Sequence, residues 1–204
     1  MNAIKTIHDI MKQYTPNTTG VKRQASILIP LIRRNGELHI LYEMRALHLT
    51  SQPGEICFPG GKIESAEKSC TTAIRETCEE LNLDESEVRL IGQIDSLLTS
   101  FDMIIHCYVG ELTRPFEDIQ FSKDEVHEIF TIPLSALKGL NPSTYGIQSK
   151  MMLPSDFPFD HIPNGKDYNF KNSTYPVIFY HYEDRIIWGL TARMTQNFIK
   201  IISE

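Results

Sequence analysis

The chain has 204 residues, 41% of them apolar and 23% charged, with a formal net charge of −6. That length suits one domain with an elaboration, the composition excludes disorder as the default, and the charge gives no overall attraction for nucleic acid or an anionic membrane. No apolar run approaches the roughly 20 residues of a membrane span. The N-terminus is not patterned as a signal peptide, and Cys57, Cys70, Cys78 and Cys107 form no C-x-x-C pair. The expectation is therefore a cytoplasmic protein with reduced thiols, no nucleic-acid or membrane partner, and a homodimer as its one possible self-association.

Taken in chain order, Ile4, Ile7, Met11 and Tyr14 fall at helical spacing and predict an amphipathic helix over 3–14, within an N-terminal arm spanning 1–22. Residues 25–32 (ASILIPLI) read as a buried strand, Asn35-Gly36 as a hairpin turn and 39–46 as the returning strand. A loop over 47–54 leads to a short strand ending in the glycine turn Phe58-Pro59-Gly60-Gly61. Residues 66–81 are patterned as a helix, 88–98 and 103–112 as strands, and 121–137 as an acidic cluster followed by a strand and the start of a helix. Prolines 142, 154, 158 and 163 then mark 141–174 as an insertion or lid without a core of its own. A second hairpin turns near Glu183-Asp184, and a closing helix places Met194, Phe198 and Ile201 on one face.

The helix over 66–81 carries the chemistry. Ala66, Cys70, Ala73, Ile74, Thr77 and Leu81 form one largely apolar stripe, so that face is buried. Glu76, Glu79 and Glu80 fall at i, i+3 and i+4 and converge near the carboxyl end. Like charges at this spacing repel by a few tenths of a kcal/mol per pair, and the helix terminus adds roughly 0.3–1 kcal/mol per group. A solvated acidic face is one reading. The other is a divalent cation that turns repulsion into binding, because Mg²⁺ and Mn²⁺ take carboxylate and carbonyl oxygens. Glycine in the preceding turn lets a backbone carbonyl approach closely.

Gly61, five residues, Glu67, seven residues, Arg75-Glu76, two residues, Glu79-Glu80 is similar to the Nudix box. The sequence departs at Thr77, where the pattern has an aliphatic residue, and at Asn82, where it has glycine. The resemblance implies an α/β fold, an α/β/α sandwich with a mixed central sheet as one domain over 1–204, and hydrolysis of a diphosphate linked to another group. It implies Glu76, Glu79 and Glu80 as ligands of Mg²⁺ or Mn²⁺, assisted by the Gly60 or Gly61 carbonyl. Arg75 and Glu67 would form a supporting ion pair, and Glu79 and Glu125 would serve catalysis, with Glu128 as the competitor for the distal role.

Gly54, Phe58, Pro59, Gly60 and Gly61 also resemble the segment before the box in the coenzyme A pyrophosphatase branch. That branch has an arginine where Thr50 stands, which leaves Arg45 and Lys62, with Phe58, as the substrate-contacting candidates. The branch implies cleavage of coenzyme A or its thioesters to adenosine 3′,5′-bisphosphate and (acyl-)4′-phosphopantetheine. The alternatives are the same chemistry on ADP-ribose or NADH, and a nucleotide-binding regulator without activity. Trp188 reads as a packing residue, with adenine stacking as its alternative. Cys57 and Cys107 read as inert packing.

Overall fold

The computed structural model describes residues 3–16, 18–100 and 102–204. Residues 1, 2 and 17 of the expected N-terminal arm lie outside the described residues. The chain runs α1 (Ala3–Gln13), β1 (Arg23–Arg34), β2 (Glu37–Arg45), β3 (Ile56–Cys57), β4 (Gly60–Lys62), α2 (Ser69–Leu81), β5 (Val88–Gln93), β6 (Leu97–Leu98) and β7 (Met103–Leu112). It continues through β8 (Val126–Pro133), α3 (Leu134–Gly139), β9 (Ser143–Ser149), β10 (Ser173–Tyr182), β11 (Arg185–Trp188) and α4 (Gly189–Ile201). Four short 3₁₀ turns connect these elements.

An eight-stranded sheet forms the centre, ordered β3-β2-β1-β7-β5, with β4 also on β1, β6 on β7 and β8 on β2. Strands β1 and β7 pair in parallel from Arg23–Met103 to Leu31–Glu111, and the remaining pairs are antiparallel, so the sheet is mixed. Alternation along β1 divides the core. Ile27, Ile29 and Leu31 face α4, packing with Ile105, Met194 and Phe198, whereas Leu28 and Ile32 face α2, packing with Ala73 and Leu81. Helices therefore cover both faces, as the α/β/α expectation requires. Each fully buried Leu or Ile contributes about 1.5–3 kcal/mol. No helix among the described residues is long and apolar enough to cross a membrane.

Helix α2 begins at Ser69, three residues after the boundary the apolar stripe suggested. Ala66 has φ +67° and lies exposed in a turn, so it is not part of the buried face, and Lys68 is extended. The two departures from the box pattern are accommodated. Thr77 is fully buried and its hydroxyl donates to the Ala73 carbonyl at 2.7 Å, leaving its methyl for the core. Asn82 closes the helix at φ 47°, ψ 49°, the left-handed cap that glycine or asparagine supplies.

Other expectations are corrected. The stretch 88–98 is two strands, because β5 bulges between Leu90 and Gly92 against β7 and breaks before β6. Ile201 is 41% exposed, so the buried face of α4 ends at Phe198. Helix α1 forms, yet none of its residues is buried. The proline-rich insertion holds a real strand: β9 pairs antiparallel with β10, which pairs with β11, making a second, three-stranded sheet. The inner side of that sheet buries Ile178, Tyr180 and Ile187 in the α4-side core.

Candidate active site

The glycine turn is fixed by its neighbours. Strand β4 pairs with Ala25–Ile27 of β1, and the Pro59 carbonyl accepts the Leu28 N–H at 3.0 Å. Gly60 has φ +156°, and a Cβ there would lie 2.4 Å from the Ser26 carbonyl oxygen and 2.7 Å from Ile27 Cα. A Cβ on Gly61 would fall 2.3 Å from the Glu76 carboxyl carbon. The turn is thus clamped between β1 and α2, with the Gly60 N–H donating to Glu80 Oε2 at 2.9 Å. Glu76 and Glu80 both face the turn, and Glu80 is buried.

Arg75 gathers the surrounding acids. Its Nε and Nη2 donate to the two Glu67 oxygens at 3.0 and 3.3 Å, Nη2 lies 2.9 Å from Glu76 Oε1, and Nη1 donates to Glu79 Oε2 at 3.0 Å. Hydrogen bonds from Arg75, then Thr72, hold the Glu67 carboxyl down at about 2. Glu76 is pushed up, first by burial, against the pull of Arg75. The Glu79 side chain is 57% exposed and stays outside the buried pair.

Sequence reasoning missed Glu43. It lies on β2, is 1% exposed, and accepts the Cys57 S–H at 3.3 Å on Oε1. Its Oε2 is buried with no hydrogen-bond partner. Burial raises its pKa, and Glu125 adds to the rise. Glu80 is raised in turn by burial and then by Glu43. The signal in the sequence was one glutamate inside the apolar run Ile40-Leu41-Tyr42-Glu43-Met44, a position where a charge needs a partner. The Cys57 thiol is pushed far up by burial and by Glu43.

These acids suit a hard divalent cation. Carboxylates whose pKa burial and mutual repulsion raise, one with an orphaned oxygen, are the donor set a dication would stabilise. Glu76, Glu79 and Glu80, with a Gly60 or Gly61 carbonyl, are the groups that could hold it. Among the described residues no three His, Cys, Asp or Glu side chains are already drawn together as a metal cage. Arg75 is ion-paired with both Glu76 and Glu79.

Glu125 stands exposed before β8, its carbonyl accepting the Ala46 N–H at 2.8 Å. Its charge raises Glu43, Glu76 and Glu80, so it faces the same cluster. Glu128 is engaged by the guanidinium of Arg185, which also lies over the Phe130 ring at 4.7 Å. A cavity of about 400 Å³ opens beside Gly60, walled by Ile27, Phe58, Ile105 and Met194, with Arg45 and Glu55 among its polar groups. Phe58 is 3% exposed and stacks on Tyr42 at 4.9 Å, so it serves the core while also lining the cavity. Arg45 lines the cavity while its Nε donates to the Ser51 carbonyl at 3.3 Å. Lys62 and Thr50 are exposed and do not line it. Trp188 is no core residue: it is 43% exposed, lines the cavity and stacks on Phe179 at 5.9 Å.

A family model described as the NUDIX domain matches residues 22–152. The chain belongs to the Nudix family. This Nudix hydrolase is 32% identical over 187 residues to Nudix hydrolase 3 of Caenorhabditis elegans, covering 87% of this chain and 72% of that protein. It is 36% identical over 121 residues to the peroxisomal coenzyme A diphosphatase NUDT7 of Mus musculus, covering 59% of this chain and 50% of that protein. The crystal structure of a MutT/nudix family protein from Enterococcus faecalis matches with a TM-score of 0.52 at 13% identity, over 100% of this chain and 71% of that one. At that identity the likeness speaks to the Nudix fold alone.

Proposed function

We propose that this Nudix hydrolase cleaves the diphosphate of coenzyme A or acyl-coenzyme A, releasing adenosine 3′,5′-bisphosphate and (acyl-)4′-phosphopantetheine. The observation that carries the reading is the cavity beside Gly60, which joins a glycine turn under an acidic helix to a largely apolar chamber containing one arginine. A diphosphate with a long, uncharged arm matches that pairing of surfaces. The 36% identity to a coenzyme A diphosphatase supports it.

In this reading Glu76, Glu79 and Glu80 hold Mg²⁺ or Mn²⁺ with a Gly60 or Gly61 carbonyl. The cation supplies neutralisation of the diphosphate oxygens and a more acidic bound water. Arg75 and Glu67 would orient the loop through their ion pair, and Arg75 would have to give up its contact to Glu79 for that carboxylate to serve as a ligand. Glu79 or Glu125 takes the proton from water. Arg45 meets phosphate charge in place of the arginine that Thr50 replaces. Phe58 holds the turn through its stack on Tyr42.

The test is a product assay with coenzyme A, acetyl-coenzyme A, ADP-ribose and NADH, each with Mg²⁺ and with Mn²⁺. Adenosine bisphosphate from the coenzyme A substrates, at far higher kcat/KM than turnover of the others, is the expected result. Preferential cleavage of ADP-ribose or NADH overturns it.

A further inference from the structure

We propose that the outer face of the β9–β10–β11 sheet carries an apolar tail on the substrate, so that long-chain acyl thioesters are the preferred members of the class; this rests on the coenzyme A reading above. The inner face of that sheet is buried in the core. Its outer face presents Tyr145 and Ile147 from β9, Phe179 from β10, and Ile186 and Trp188 from β11. Tyr145, Ile147 and Ile186 are 62%, 58% and 50% exposed. These side chains line an open groove of about 570 Å³, with His181 and the polar tips of Tyr145 and Trp188 as its polar side-chain groups among the described residues.

The position of the groove identifies its occupant. Val177 and Trp188 line both this groove and the cavity beside Gly60, so one apolar surface runs from the glycine turn out across the sheet. Strand pairing sets the lateral order: Tyr145 lies opposite Val177, and Phe179 opposite Trp188, which places the shared residues between the cavity and β9. A substrate with its diphosphate at the turn and its arm in the cavity would bring the far end of that arm to Val177 and Trp188. An acyl chain attached there continues over Phe179 toward Tyr145 and Ile147. Among the described residues no Lys, Arg, Asp or Glu lines the groove to oppose it. Each fully buried methylene multiplies affinity by about four, and on an open face a fraction of that gain is expected.

Trp188 is the single tryptophan of the chain and marks the junction, which gives a signal independent of turnover. The experiment titrates the protein in excess EDTA with coenzyme A and with acetyl-, octanoyl- and dodecanoyl-coenzyme A while reading Trp188 emission. It also measures KM for the same series with Mg²⁺. Dodecanoyl-coenzyme A is expected to bind at least about tenfold more tightly than acetyl-coenzyme A, with blue-shifted emission. The double variant Tyr145→Ser, Ile147→Ser is expected to lose most of that increment while its kcat/KM for coenzyme A stays within about twofold, because both side chains are exposed and neither lines the cavity beside Gly60. Cleavage of the whole series with one common affinity overturns this inference and leaves the coenzyme A reading standing. Cleavage of none of the series overturns both. A dimer that the double variant dissociates, with chain-length preference unchanged, assigns the face to a second copy and likewise overturns the inference.

Discussion

Arg75 and Glu79 form an ion pair across one helical turn, Nη1 to Oε2 at 3.0 Å, in which the guanidinium holds a carboxylate that the proposed chemistry requires. The same guanidinium reaches Glu67 and Glu76, so a cation must compete with Arg75 for two of its three proposed side-chain ligands. Glu79→Gln is expected to lower kcat at least about 100-fold, in line with removal of one electrostatic group from a reacting centre. EDTA is expected to abolish turnover, and Mg²⁺ or Mn²⁺ to restore it. Near-normal turnover of the Gln variant would take Glu79 out of the site.

The two glycines of the turn are expected to fail differently. At Gly61 an added methyl meets the movable end of Glu76, so Gly61→Ala should fold and lose about 10–100-fold in turnover through a displaced carboxylate. At Gly60 it meets the β1 backbone at positive φ, so Gly60→Ala should cost about 1–3 kcal/mol of stability. Urea denaturation beside steady-state kinetics separates the two. Equal stability losses in both variants would contradict this division.

Glu125 and Glu128 are told apart by their partners. Glu128 is taken up by Arg185, whereas Glu125 faces the acidic cluster. Glu125→Gln is expected to reduce kcat by about 100-fold, as loss of a proton acceptor does. Glu128→Gln should leave kcat unchanged and cost at most about 1 kcal/mol, because its pair is partly exposed. The opposite ranking in kcat would transfer the distal role to Glu128.

Burial raises the pKa of Glu43 above its ordinary 4.5. A carboxyl that binds its proton more tightly when folded stabilises the protein fully below its unfolded pKa, and that contribution is lost as pH rises through the folded value. The metal-free protein should therefore lose stability as pH rises from about 4.5 through the raised folded value of Glu43, and Glu43→Gln should flatten that decline. Chemical denaturation in EDTA across that range measures it. An equally steep profile in the variant would show that Glu43 is not the group responsible.

The acidic helix, the glycine turn and the central hairpin were legible because each rests on local rules: apolar spacing in α2, Asn35-Gly36 at the hairpin, and Gly60-Gly61 beside a helix that crowds them. Features set by distant partners were not. Glu43 looks like any strand residue until α2 brings Glu80 against it, 37 positions away in sequence by the numbering. Strand β9 is exposed at all seven positions and interrupted by Gly146, so it shows no burial alternation, and its existence depends on β10. Ala66 misled because its spacing to Cys70 continues the apolar stripe, whereas its backbone is left-handed and the helix begins only at Ser69.

The small sheet shares no strand with the central sheet on which the acidic helix α2 packs, yet its outer wall borders the cavity beside Gly60. On the acyl-tail proposal, reactivity and selectivity reside on separately built parts. Substitutions along β9 can retune which molecules are admitted without disturbing the groups that break the bond, so drift in this strand would diversify diet while leaving the engine intact.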